Sequence, residues 1–141
     1  MIDDNKIKHL EFIQNIITRM NTNSFQIKNF AVLILTALLA VYISTKEIWF
    51  VALPIIPTII FWFLDSYYLH QERLFRKVYN DVAEITKEEI RQEVKPFEIP
   101  INIYKSKYSY LKVFFSKTII WIYLPIVIAL SLIFLNLLLC R

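Results

Sequence analysis

The hydrophobic residues of this chain are concentrated in long uninterrupted blocks. Three stretches contain no charged residue: residues 29–45, 48–64 and 118–140. As α-helices, the first two would be about 25 Å long and the third about 35 Å, against a bilayer hydrocarbon core of about 30 Å. A backbone in lipid must satisfy its own hydrogen bonds. Each stretch is therefore predicted to be a membrane-spanning helix.

The segment before the first apolar stretch has the periodicity of an amphipathic helix. Apolar side chains recur every three or four positions over residues 3–22. Asp3 and Asp4 stand at its start, where carboxylates cap a helix and interact favourably with its dipole. A helix with this pattern could lie on the membrane surface or pack against the helix that follows the second span. The apolar face comprises Leu10, Ile13, Ile16, Ile17 and Met20.

The second apolar stretch is predicted to kink at Pro54 and Pro57, because each proline removes a backbone hydrogen bond. Beyond it, helix-forming residues continue to about Val94. The second helix is therefore predicted to leave the bilayer and form a long cytoplasmic extension. The apolar stripe predicted for this extension consists of Leu74, Val78, Val82 and Ile85.

Proline marks the predicted end of this extension. The Lys95-Pro96 pair ends it, since a residue before proline is disfavoured in the helical conformation. Residues 97–104 contain Pro100 and alternating isoleucines, a pattern that predicts an extended segment or a short edge strand. A basic and aromatic segment then leads into the third span and is typical of a membrane interface.

Composition supports an integral membrane protein of one domain. The chain has 141 residues, of which 57% are hydrophobic, and a soluble domain of this size cannot bury that much apolar surface. The predicted fold class is all-α, with three transmembrane helices. The predicted segments are a cytoplasmic amphipathic helix (1–28), transmembrane helices 1 (29–45) and 2 (48–69), a cytoplasmic helix with its juxtamembrane segment (70–117), and transmembrane helix 3 (118–140).

The distribution of Lys and Arg predicts the orientation. Four of the sixteen lie in residues 1–28 and ten in residues 65–117, which leaves only Lys46 and Arg141. Positively charged loops stay in the cytoplasm, so the N-terminus is predicted inside and the C-terminus outside. The first 29 residues lack the apolar core of a signal peptide. The net charge of +4 and the mixture of signs in residues 65–117 argue against nucleic-acid binding.

The sequence offers little support for catalysis. His9 and His70 have no metal-ligand companions at helical spacing, and Cys140 has no histidine near it in sequence. A chain without glycine cannot form a glycine-rich phosphate loop. We therefore predict no enzymatic activity, no catalytic residue, no metal site and no cofactor.

One dense polar cluster lies where the second apolar stretch ends. An unpaired carboxylate at the hydrocarbon edge is energetically unfavourable. Lys28, at a similar depth, is therefore the predicted partner of Asp65. Three functions fit the cluster: interfacial anchoring with a structural salt bridge, a gate or pore vestibule, or partner docking. Asp65, Tyr68, Glu72 and Arg76 share one helix face, Glu72 and Arg76 form a favourable i, i+4 pair, and Arg73 adjoins them.

A stripe of small residues in the first span predicts close helix packing. Thr36, Ala40 and Ser44 recur at intervals of four, and small side chains at that spacing allow helix backbones to approach. Alanine is also simply common in membrane spans. Because one chain of this size has no charged lining for a pore, the stripe favours a homo-oligomer.

Several short motifs together resemble a family of small, largely uncharacterised bacterial membrane proteins. The resemblance covers most of the chain and involves Arg19-Met20, Asn23-Ser24-Phe25, Lys28, Phe61-Trp62, Leu64-Asp65, Tyr67-Tyr68, Glu72-Arg73, Phe75-Arg76 and Phe115-Ser116-Lys117-Thr118. Such proteins are often encoded beside TIR-like signalling proteins in phage-defence loci of the Thoeris type. The architecture is also similar to the two-span SLATT effectors, although the third span departs from them.

The resemblance implies a membrane-embedded effector of anti-phage defence in the bacterial inner membrane. Its partners would be the lipid bilayer, further copies of itself and a TIR-like or other soluble signalling protein. Two alternatives remain open. The protein could be a membrane anchor that recruits a soluble partner through residues 70–117, or a small transporter or holin-like protein.

Overall fold

The computed structural model describes residues 4–105 and 109–140, which form helices and loops without a β-strand among them. Within these residues, three helical segments are long and apolar enough to cross a membrane. The prediction of an all-helical chain with three such segments is confirmed. The helices are α1 (Asp4–Thr45), α2 (Trp49–Ala52), α3 (Ile55–Val82), a 3-10 turn (Glu88–Ile90), α4 (Ile101–Lys105), α5 (Tyr110–Phe114) and α6 (Lys117–Leu139).

Helix α1 joins the predicted amphipathic segment and the first predicted span without a break. It has 42 residues and is therefore about 60 Å long. The polar run at residues 21–24 does not interrupt it, because Asn, Thr and Ser reduce helix stability less than glycine and far less than proline. Asp4 is ion-paired with Lys8 at 2.7 Å, while the predicted cap at Asp3 lies outside the described residues.

Of the two prolines predicted to kink the second apolar stretch, Pro54 interrupts the helix and Pro57 does not. The Leu53 N–H donates to the Trp49 carbonyl at 2.8 Å, and Pro54, which has no N–H, separates α2 from α3. Pro57 lies in the first turn of α3, where backbone N–H groups have no intrahelical acceptor, so proline costs no hydrogen bond there. The Thr58 hydroxyl donates to the Pro54 carbonyl at 2.8 Å and helps to close this turn.

The molecule divides along its length into two parts. We call residues 29–64 and 118–140 the apolar half, and the described residues of 4–28 and 65–117 the charged half. In the charged half, α1 and α3 run antiparallel and share a core in which Ile13, Leu74 and Val78 are fully buried. The amphipathic segment thus packs against the extension of the second helix, one of its two predicted positions.

The extension of α3 is shorter than predicted, because the helix ends at Val82 and not near Val94. The Ile85 N–H donates to the Asn80 carbonyl at 2.9 Å and the Glu84 N–H donates to the Asp81 carbonyl at 3.2 Å. With Glu84 at a φ of 59°, these bonds form a Schellman motif, which reverses the chain. Ile85 therefore lies beyond the helix, is not part of its apolar stripe as predicted, and is 68% exposed.

The predicted extended segment at residues 97–104 is also wrong in part. Residues Ile101–Lys105 form the short helix α4, which begins directly after Pro100. The helix places Tyr104 against the shared core, where it is buried, while Ile103 remains exposed. Burial of Tyr104 at helical spacing therefore prevails over the alternating pattern of isoleucines.

Candidate functional site

A buried ion pair lies at the boundary between the two halves. Asp65, on α3, has no solvent-exposed surface, and its Oδ1 lies 2.7 Å from the Lys28 Nζ on α1. The Lys28 side chain retains 25% of its exposure. This is the pairing predicted from the sequence, and it links the ends of two neighbouring apolar stretches.

Ser24 completes the cluster from one turn earlier on α1. Its hydroxyl donates to the Asp65 Oδ1 and accepts a hydrogen bond of 2.7 Å from the Lys28 Nζ. The Asp65 Oδ1, the Lys28 Nζ and the Ser24 hydroxyl therefore each contact the other two. The i, i+4 spacing of Ser24 and Lys28 on one helix face makes this geometry possible. Ser24 was not part of the polar cluster predicted from the sequence.

The third apolar helix reaches the same cluster through Tyr123. Its side chain is fully buried and packs with Ala31, Ile119 and Trp62. The hydroxyl lies close enough to the Asp65 carboxylate to interact with it, although the contact does not meet strict hydrogen-bond geometry. The Tyr123 hydroxyl and the Asp65 Oδ2 both lack a hydrogen-bond partner. Two incompletely satisfied polar groups thus face each other where α1, α3 and α6 meet.

Two further residues of the predicted cluster, Glu72 and Arg76, form a second ion pair on α3. The Glu72 Oε1 accepts a hydrogen bond of 2.8 Å from the Arg76 Nε, as the i, i+4 spacing predicts. Glu72 is buried, whereas the Arg76 side chain is 59% exposed. Tyr68 packs edge-on against Tyr67, and Arg73 is exposed. The predicted cluster therefore contains two ion pairs, Lys28 with Asp65 and Arg76 with Glu72.

Helix α5 is fastened to the end of the second apolar stretch. The Trp62 Nε1 donates to the Phe114 carbonyl at 3.2 Å, and the two rings stack at 5.0 Å. The Tyr110 hydroxyl donates to the Phe63 carbonyl at 2.9 Å. Partial burial raises the pKa of Tyr110 above its ordinary value, so the hydroxyl remains a neutral donor.

Another polar cluster, which was not predicted from the sequence, lies at the far end of the charged half. The Asp81 Oδ2 accepts hydrogen bonds from the Tyr104 hydroxyl at 2.6 Å and from the Gln92 N–H at 3.2 Å. His9 is 1% exposed, its ring packs against Phe97 at 5.8 Å, and its Nε2 has no hydrogen-bond partner. No local sequence pattern marks these contacts, because they join residues from distant parts of the chain.

The predicted packing stripe faces away from the rest of the chain. Thr36, Ala40 and Ser44 are all exposed, and the Thr36 hydroxyl donates to the Val32 carbonyl at 2.9 Å. None of the three contributes to the core clusters of the described residues. The stripe is therefore available to another chain.

Comparisons with known proteins assign no family. No protein-family model matches the chain, no curated protein matches it and no solved structure matches it. Fold and site together define a helical protein with three segments capable of crossing a membrane and a buried ion pair at their boundary with the charged half. The resemblance to defence-associated membrane proteins remains a prediction.

Proposed function

We propose that the protein is a multi-pass effector of the bacterial inner membrane, which acts as an oligomer and perturbs the membrane when a signal arrives. The charged half lies in the cytoplasm and the C-terminus outside. The positive charges support this orientation, because fourteen of the sixteen belong to residues 1–28 and 65–117. The role in anti-phage defence rests on the resemblance described above.

Sparse packing of the apolar half supports oligomerisation. Each of the three segments contains an 18-residue stretch that is its most apolar part. In chain order, only 6%, 28% and 11% of the residues in these stretches are buried. The remaining surface must face lipid or other copies of the chain. The stripe of Thr36, Ala40 and Ser44 offers a close approach on this surface. Association between copies, and not a channel within one chain, is the route to membrane perturbation.

The cluster of Ser24, Lys28 and Asp65 is the observation that carries the proposal. It couples the antiparallel helices of the charged half to the apolar segments at the point where α1, α3 and α6 meet. A partner that shifts α1 along α3 would separate Lys28 from Asp65. The carboxylate has no exposed surface, so its separation from Lys28 is energetically unfavourable unless the helices rearrange. The signal is thereby converted into movement of the apolar helices.

The test measures dye uptake, membrane potential and phage protection in cells that express the protein together with its neighbouring gene. Asp65→Asn is expected to abolish the phenotype while the protein remains abundant in the membrane fraction. Asp4→Asn, which neutralises an exposed aspartate, is the matched control and should retain activity. Ala40→Phe should also lower activity and reduce the oligomer observed by gel filtration in detergent.

Two outcomes would overturn the proposal. If activity falls only in proportion to abundance in Asp65→Asn, the ion pair is merely structural. If the wild-type protein gives no leakage, toxicity or protection with the neighbouring gene and phage present, the effector function is wrong.

The second candidate is a membrane scaffold that recruits a soluble partner. It is favoured by apolar side chains that protrude from the charged half: Ile85, Ile90 and Phe97 are 68%, 66% and 58% exposed. They lie in the segment after α3, away from the apolar helices. Their replacement by serine should release a soluble partner from membranes without altering permeability, which distinguishes this candidate from the effector.

A further inference from the structure

A basic cleft of about 490 Å³ lies between α3 and α5. Its cationic side chains come from two elements and are all exposed. None of the described residues that line it is acidic, so the cleft concentrates positive charge in a concave surface. These basic residues are Arg73, Arg76 and Lys77 on α3 and Lys112 on α5.

The chemistry of the lining suits a phosphate group. Arg76 contacts Glu72 only through its Nε at 2.8 Å, which leaves the terminal N–H groups of its guanidinium as donors for an anion. Arginine binds phosphate oxygens in a planar, often bidentate arrangement, and lysine adds a compact charge. Asn80 and Ser109 supply neutral polar groups at the same surface.

The cleft lies beside the end of the apolar half. Helix α5, which forms one wall, is held there by the bonds of Tyr110 to Phe63 and of Trp62 to Phe114. On the same short segment, Leu111 and Phe115 are 64% and 61% exposed. A phosphate in the cleft would therefore have an apolar surface next to it.

We propose that this cleft binds the phosphate of an anionic phospholipid whose acyl chains lie along α5 and α6. A soluble phosphate compound shares the headgroup chemistry but has no acyl chain to contact the exposed Leu111 and Phe115. The combination of a cationic cleft and an adjoining apolar surface is typical of headgroup sites at membrane boundaries. The proposed lipid site is independent of the effector function, because a membrane scaffold or a transporter could contain the same cleft.

The test titrates the purified, delipidated full chain in a neutral detergent and counts bound lipid by native mass spectrometry. Phosphatidylglycerol is compared with phosphatidylcholine of the same chain length. Arg73→Gln combined with Lys112→Gln should weaken phosphatidylglycerol binding by roughly tenfold or more. Each basic side chain near an anionic lipid surface strengthens lipid binding by a similar factor, and this variant removes two of them. Lys87→Gln combined with Lys95→Gln removes two exposed charges outside the cleft and should leave binding unchanged.

Further arms separate the sources of phosphate. Inorganic phosphate and a nucleoside monophosphate should not displace phosphatidylglycerol at equal concentration. Displacement by either would overturn the lipid assignment in favour of a soluble anion. Equal losses in the two double variants, or equal binding of both lipids by the wild-type chain, would overturn the site itself. Circular dichroism monitors folding, and Lys112→Gln alone, on an exposed position, should still weaken binding if the double variant unfolds.

Discussion

At the scale of single residues, left-handed backbone conformations are adopted without glycine. The sequence contains none, and Lys46, Glu84 and Phe97 have φ values of 61°, 59° and 63°. Each such residue costs about 1–2 kcal/mol relative to the right-handed conformation. Two of them have compensating contacts, because Glu84 forms an ion pair with Lys6 and Phe97 packs against the His9 ring.

The contact between Lys6 and Glu84 predicts a small acid-dependent loosening. The hydrogen bond and charge of Lys6 lower the pKa of Glu84 from its ordinary value of 4.5. A lowered folded-state pKa means that the stabilisation is present above pH 4.5 and is lost as the pH falls through the lower value. Thermal unfolding in detergent at pH 7 and at pH 3 should show a larger decrease for the wild-type protein than for Glu84→Gln. Equal decreases would contradict the prediction.

The buried ion pair predicts unequal effects for its two partners. Lys28→Met leaves a carboxylate without solvent exposure or a cation and should destabilise the protein by about 3–5 kcal/mol. Asp65→Asn should cost less, because Lys28 is 25% exposed and can reach water. Chemical unfolding in detergent measures both. Combining Lys28→Met with Asp65→Leu should recover much of the loss, whereas additive losses would show that the pair is not coupled.

At the scale of elements, helical periodicity predicts the packing faces of α1 and α3 well. The apolar residues at three- and four-residue intervals are those that meet in the core. The pairing of Lys28 with Asp65 is also predictable, because both lie at the ends of adjacent apolar stretches joined by a tight turn. The end of α3 at Val82 is not, since a left-handed glutamate carries no sequence signal. Neither is the contact of Tyr104 with Asp81, which depends on how the chain folds back.

The core between α1 and α3 predicts large truncation effects. Ile13 and Leu74 have no exposed surface, and replacing either by alanine should cost about 2–5 kcal/mol. Ile7→Ala, on the same helix but 41% exposed, is the control and should have a much smaller effect. Chemical unfolding of the single and double variants should show non-additive losses, because both residues belong to one cluster. Small, additive losses would indicate that the two helices do not pack as described.

At the scale of the whole molecule, charge and burial divide the chain in the same place. The larger cluster of buried residues lies in the charged half, where α1 packs against α3, whereas the apolar half buries few of its own residues. An exposed apolar surface of this extent is typical of a protein that contacts lipid or further chains. The fold therefore combines a charged half that contains the larger core cluster with an apolar half that leaves most of its side chains exposed.

The topology prediction applies to this whole arrangement. In a Cys140→Ser background, Lys46→Cys lies in the turn between the first two apolar segments, and Ser109→Cys lies in the charged half. An impermeant thiol reagent added to intact cells should label Lys46→Cys and leave Ser109→Cys unlabelled until the cells are permeabilised, because positively charged segments stay in the cytoplasm. The native Cys140, exposed at the end of α6, should be labelled from outside in the wild-type chain. Labelling of Ser109→Cys without permeabilisation would reverse the orientation and remove the cytoplasmic signal from the proposed function.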